Sequence, residues 1–195
     1  MRTSEISRKT GETDIHLKLN IDGSGKGSIS TGIGFFDHML NLFARHGLFD
    51  LELTAEGDLH VDFHHTVEDV GICLGAALRE ASGDKNGINR YGFSSLPMDE
   101  ALVNVSVDVS GRPNLNLVNS LENRSAGDFP LDLVRVFFQA LSGRGGITAH
   151  AILITGSDPH HVAEAFFKGF GRALRKALEK DERVRGVPST KGSLD

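Results

Sequence analysis

Two five-residue stretches carry residue types that could do chemistry. His64-His65-Thr66-Val67-Glu68 recurs as His160-His161-Val162-Ala163-Glu164. On a helix, a glutamate three or four residues after a histidine stands beside it, so each stretch offers imidazole and carboxylate together. That donor set suits a first-row divalent metal, and a chain with the single cysteine Cys73 has no Cys-based zinc motif. Adjacent histidines point about 100° apart around a helix, so one pair serves two different ions, or one ion and one substrate. A lone His-Glu pair is ordinarily a surface hydrogen bond, but its repetition in matching places favours metal binding. His38 and His150 are further candidate ligands, the first opening a short helix and the second in a strand ahead of the second pair. His46 follows His38 by about two helical turns and can look into the same site. His16 and His60 fall on polar phases and read as surface residues.

The elements that must hold these residues also repeat. Beyond the histidines, Gly75, Ala77, Leu78, Arg79 and Ala81 match Gly171, Ala173, Leu174, Arg175 and Ala177 at the same offset. Apolar residues at helical spacing follow each pair: Val67, Leu74 and Leu78, then Phe166, Phe170 and Leu174. Upstream, Ile15, Leu17, Leu19 and Ile21 alternate with polar residues, as do Val103, Val105, Val107 and Val109, and both runs end in glycine-containing turns. Period-2 alternation predicts half-buried strands. Glu12 and Glu100 precede these strands at matching places. A shorter helix, 35–45 or 131–141, and another strand, 49–55 or 147–155, complete each copy. The expectation is an α+β fold of two similar β-β-α-β-α halves, 1–86 and 87–180, packed as one compact body, with an arm at 181–195. With almost no apolar residue from 185 to 195, the arm is expected to be mobile until a ligand orders it.

Composition narrows the class. The net charge of −5 gives no footprint for nucleic acid. No apolar run approaches the ~20 residues of a membrane helix. Residues 1–11 lack the apolar core of a signal peptide, and a single cysteine suits a reducing compartment, so a cytoplasmic protein is expected.

Longer blocks point to a family. They are Gly32 to Leu40 (GIGFFDHML), His64 to Asp69, Pro97 to Leu102 (PMDEAL), Asp108 to Pro113 (DVSGRP), the second histidine block through Phe167-Lys168, and Pro188 to Gly192 (PSTKG). Together they cover nearly the whole chain, which resembles imidazoleglycerol-phosphate dehydratase, the lyase of histidine biosynthesis. The resemblance implies two manganese ions per active site and an assembly of trimers into a 24-subunit shell, with sites at subunit interfaces. It assigns metal binding to His38, His64, His65, Glu68, His150, His160, His161 and Glu164. It assigns substrate contacts to Glu12, His46, Arg90, Arg112, Lys168, Ser189 and Lys191, and Thr190, between the last two, is expected to bind the phosphate with them. Phe63, ahead of the first pair, and Asp158, where asparagine is usual, depart from the pattern and bear on metal affinity.

The implied reaction removes water from the side chain of an imidazole-bearing glycerol phosphate, giving an enol that becomes a ketone. No carbonyl acidifies the proton to be lost, so the imidazole ring is the only electron reservoir. Metals on the ring would favour its anion. A carboxylate general base then takes the proton. Glu12 and Glu164 are the candidates, Glu164 alternatively serving only as a ligand. Arginine and lysine suit the phosphate. Arg112 sits in a Gly-containing turn, and Lys168 lies one helical turn after Glu164, where the first copy has Ile72. A non-catalytic metal-holding shell would need the histidines but not these cations. A two-metal phosphate hydrolase would draw more on aspartate and glutamate.

Overall fold

The computed structural model describes residues 1–119 and 123–194. In chain order the elements are β1 (Thr3–Lys9), β2 (Thr13–Asn20), β3 (Gly27–Ser30), α1 (Gly34–Gly47), β4 (Asp50–Gly57), α2 (His64–Ser82), β5 (Tyr91–Met98) and β6 (Ala101–Asp108). Then come β7 (Asn114–Val118), the short pair β8 (Ser125–Ala126) and β9 (Phe129–Pro130), α3 (Asp132–Gly145), β10 (Thr148–Thr155) and α4 (Pro159–Leu178). The two halves build sheets of one topology, β1-β2-β4-β3 and β5-β6-β10-β7. In each the second strand is antiparallel to both neighbours, and the last edge strand runs parallel to its partner. The α+β class and the duplicated order hold. Each four-stranded sheet carries one strand more than the expected three, and the second half adds the short β8–β9 pair; in the first half the extra strand, Gly27–Ser30, is too short and too polar to show a period-2 pattern.

The alternating positions do bury. Ile15, Leu17 and Leu19 of β2 and Val103, Val105 and Val107 of β6 are at most 4% exposed. Each sheet thus has one apolar face. Helix α2 covers β1 and β2, and α4 covers β5 and β6. The helices also cross between halves, α2 on α3 and α1 on α4, so they form a middle layer with a sheet on either side. A column of phenylalanines joins α3 to α4; Phe138 stacks on Phe170 at 3.7 Å and Phe137 on Phe167 at 5.2 Å.

Repeated glycines set how closely the helices approach. A Cβ at Gly75 would lie 2.5 Å from the Leu141 carbonyl oxygen, and one at Gly171 would lie 2.5 Å from that of Phe43. Both contacts are with backbone, which cannot step aside. Gly171→Ala should therefore destabilise the protein by about 1–3 kcal/mol through overpacking. At about 2–4 °C per kcal/mol for a chain of this size, calorimetry should show a fall of several degrees. An unchanged melting temperature would mean that the crossing is slack. The crossing matters because it sets α1 beside the first turns of α4, where the histidines sit.

Candidate active site

His38 lies one turn into α1 and His160 in the first turn of α4, and the helix crossing brings both to one carboxylate. Glu164 Oε1 is 2.9 Å from His38 Nε2 and 3.1 Å from His160 Nε2. Lys168, one turn further along α4, donates to Oε2 at 2.5 Å, and its Nζ lies 3.2 Å from Met98 Sδ. Glu164 is 7% exposed. Burial raises its pKa, but Lys168 and the two imidazoles outweigh burial and hold it at about 2. Among the described residues, His38, His160 and Glu164 form the one group of three donors whose ligand atoms lie within 4.8 Å of one another. Two imidazole nitrogens and an anionic oxygen at that spacing fit a divalent transition metal with coordination positions left open. His46, at the far end of α1, is half-buried. Burial lowers its pKa first, and the charges of Lys168, Arg172 and Arg45 add to that.

The second histidine of each pair is held by a different carboxylate. His65 Nδ1 is 3.0 Å from Asp58 Oδ2, and Glu12 Oε1 stands 3.7 Å from its Nε2. His161 Nδ1 is 2.8 Å from Glu100 Oε2, with Asp99 Oδ2 3.6 Å from Nε2. These hydrogen bonds raise the pKa of both imidazoles, against a smaller opposing effect of burial. Adjacent rings stand nearly perpendicular, at 86° for His64–His65 and 80° for His160–His161. His64 is exposed and lines a surface cavity of about 320 Å³ with Asp62, Phe63 and Pro130. Glu68 is exposed in a separate groove beside Arg8, Lys9 and Arg144. His150 is exposed on β10, 3.3 Å from the Asn116 side-chain amide. His64, His65, Glu68, His150 and His161 thus lie outside the three-donor group. Of the two departures, Phe63 stacks on Phe129, and Asp158 accepts from the His160 amide as the N-cap of α4. Asp62, one residue ahead of the α2 N-cap Phe63, accepts from the His64 amide at 2.7 Å.

A third group gathers cations. Arg90 has a left-handed backbone, φ +70°, unusual for a long side chain and a sign of local constraint. Its guanidinium grips Asp108 through two bonds of 2.8 and 3.1 Å, donates to the Pro188 carbonyl at 2.9 Å and lies 4.7 Å from the Tyr91 ring centroid. Those bonds use three of its five N–H donors. Arg112 Nη2 is 3.8 Å from the same Asp108. Ser189, Thr190 and Lys191 directly follow Pro188, and the Lys191 amide donates to Ser189 Oγ at 3.2 Å. The arm is not the free tail its composition suggests. Leu194, its one large apolar residue near the end, is 4% exposed, and Lys85 donates to the Leu194 carbonyl at 2.6 Å. One buried leucine and two charge-assisted bonds suffice to seat it.

Asp58, Asp99, Glu100 and Asp108 were not among the sequence candidates. The repeat drew attention to Glu100 only as the counterpart of Glu12. Asp99, Glu100 and Asp108 fall within the blocks PMDEAL and DVSGRP but carry no role there, and Asp58 falls outside every block.

A family model described as imidazoleglycerol-phosphate dehydratase matches residues 31–174. The chain is 59% identical to an Acetivibrio thermocellus protein of that name over 99% of both chains. It is 57% identical to a Caldanaerobacter subterraneus protein of the same name over the full length of both. Two solved structures superpose with TM-scores of 0.83. One is the Staphylococcus aureus dehydratase, at 39% identity, covering 92% of this chain and 99% of that one. The other is a Pyrococcus furiosus enzyme in complex with (S)-C348, at 41% identity, covering 97% and 100%. Likeness over the whole length, with the same fold, places the chain in the imidazoleglycerol-phosphate dehydratase family, the dehydratases of histidine biosynthesis.

Proposed function

We propose that the protein is a metal-dependent lyase that dehydrates D-erythro-imidazole-glycerol phosphate to imidazole-acetol phosphate. The observation that carries this is the His38–His160–Glu164 group with Lys168 locked onto the outer carboxylate oxygen. The metal would be manganese, two ions per active site, and when bound it would stabilise the imidazole anion of the substrate. The remaining ligands would be His64, His65, Glu68, His150 and His161. The exposure of His64, Glu68 and His150, and the separation of all five from the three-donor group, support a site completed between copies in an assembly of trimers, a 24-subunit shell. The halves 1–86 and 87–180 would each contribute one HHxxE helix, and the arm 181–195 would serve the phosphate. Among the described residues no helix is long and apolar enough to cross a membrane. We place the enzyme in the cytoplasm, acting on a small phosphate without nucleic acid or membrane partners.

The chain's own residues divide the remaining work. Glu164 holds His38 and His160 in place as an anionic partner. Glu12, exposed beside His65 Nε2, accepts the carbon-bound proton. His46 contacts the substrate. Arg90, Arg112, Lys168, Ser189, Thr190 and Lys191 bind the phosphate, with Asp108 aiming both arginines. Incubating the purified protein with the substrate and manganese should yield the ketone, with loss of product on chelation. Metal uptake without ketone would leave a metal-holding shell, and release of inorganic phosphate would mark a hydrolase.

Lys191→Met tests the arm without removing the Leu194 anchor. One charge-assisted contact is worth about 1.5–3 kcal/mol, so kcat/KM should fall roughly ten- to a hundredfold while the melting temperature stays put. Phosphate inhibition should weaken in step. Normal kcat/KM with normal phosphate inhibition would remove the arm from the site.

A further inference from the structure

The two halves hold their second histidines by carboxylates that the duplication does not relate. Aligning β2 with β6 sets Glu12 against Glu100. Glu100 lies at Nδ1 of His161, whereas Glu12 approaches Nε2 of His65, at 3.7 Å. In the first half the Nδ1 place is filled by Asp58, from the end of β4, at 3.0 Å. Two positions of independent origin thus deliver a carboxylate to the same ring atom.

Glu100 is fixed in place independently of its histidine, whereas Asp58 is turned wholly toward His65. Glu100 Oε1 accepts from the Ser157 and Asp158 amides at 3.0 and 2.7 Å, in the loop leading into α4, which leaves Oε2 for His161. Asp58 Oδ1 is buried without a partner, and among the described residues His65 is the only hydrogen-bond partner of its side chain. Burying half a carboxylate this way is unfavourable for stability alone.

We propose that Asp58 and Glu100 are positioning residues that accept the Nδ1 proton of His65 and His161, so that each Nε2 keeps its lone pair for the metal. A ring whose Nδ1–H is held by a carboxylate is locked in tautomer and orientation. The inference rests on the metal-binding role proposed above for these histidines.

Glu100→Gln separates positioning from mere structural support. The Ser157 and Asp158 amides must keep an acceptor, so they should retain the glutamine carbonyl. Its NH2 then faces His161 Nδ1, which must accept, and the proton moves to Nε2. Imidazole nitrogen NMR of the metal-free protein, at an alkaline pH where the rings are neutral, should show this tautomer switch at His161 with the fold intact. Manganese affinity, measured by calorimetry, should fall on the order of ten- to a hundredfold. Asp58→Asn should weaken manganese binding similarly, and because Asp58 Oδ1 has no partner to lose, it keeps the question open to measurement if the glutamine variant does not fold. Wild-type tautomers and wild-type affinity in the variants, with manganese binding normally to the parent, would overturn the positioning role alone. A parent protein that takes up no manganese would overturn the metal reading, and this inference with it.

Discussion

Exchanging Glu164 for glutamine should lower kcat/KM by about a thousandfold, with saturating manganese unable to restore it. The carboxylate faces three partners, His38, His160 and Lys168. Glutamine keeps one oxygen and turns an NH2 toward whichever partners remain. Losing two charge-assisted contacts of about 1.5–3 kcal/mol each gives roughly 3–6 kcal/mol, or two to four powers of ten in rate. The change also strands the Lys168 ammonium, whose side chain is 14% exposed, without its counter-charge. Glu68→Gln is the comparison. Its carboxylate is exposed in this chain, in a groove that also holds Arg8 and Arg144, so its loss should be smaller and partly repaired by added manganese. Metal content by elemental analysis and turnover across a manganese titration read both effects. Full recovery of the Glu164 variant at high manganese would reduce that residue to a replaceable ligand.

Much of the scaffold was legible because the duplication writes each element twice. The alternation of Ile15, Leu17 and Leu19 names a half-buried strand, and the same phase at Val103, Val105 and Val107 makes chance an unlikely source. The matched glycines, Gly75 and Gly171, mark helix crossings of one geometry, although only the structure shows that each helix crosses one from the other half. That exchange joins His38 to Glu164 across 126 residues of chain. No local pattern encodes such a distance. Short edge strands such as β3 escaped because four residues carry too little periodicity. The orienting carboxylates escaped for another reason. Asp58 and Glu100 lie in turns, where acidic residues are common, and only a measured distance to an imidazole distinguishes them.

Glu12→Gln should lower kcat by about two to four powers of ten while leaving metal content and melting temperature unchanged, the loss expected when a general base is removed. Glu164 is a poor base at neutral pH, because a carboxyl held at about 2 gives up little driving force for taking a proton. Glu12 stands differently. Asp58 already occupies His65 Nδ1, so Glu12 is free to lie on the Nε2 side, 3.7 Å from the ring nitrogen and open to solvent. A carboxylate there can reach a substrate carbon bound nearby without giving up a structural contact. The isosteric amide removes the proton-accepting function and keeps the shape, so KM should change little. Solvent deuterium offers a second readout, since exchange of the carbon-bound hydrogen should slow together with turnover. A Glu12→Gln enzyme that retains kcat within a few-fold of the parent would assign proton removal to another group.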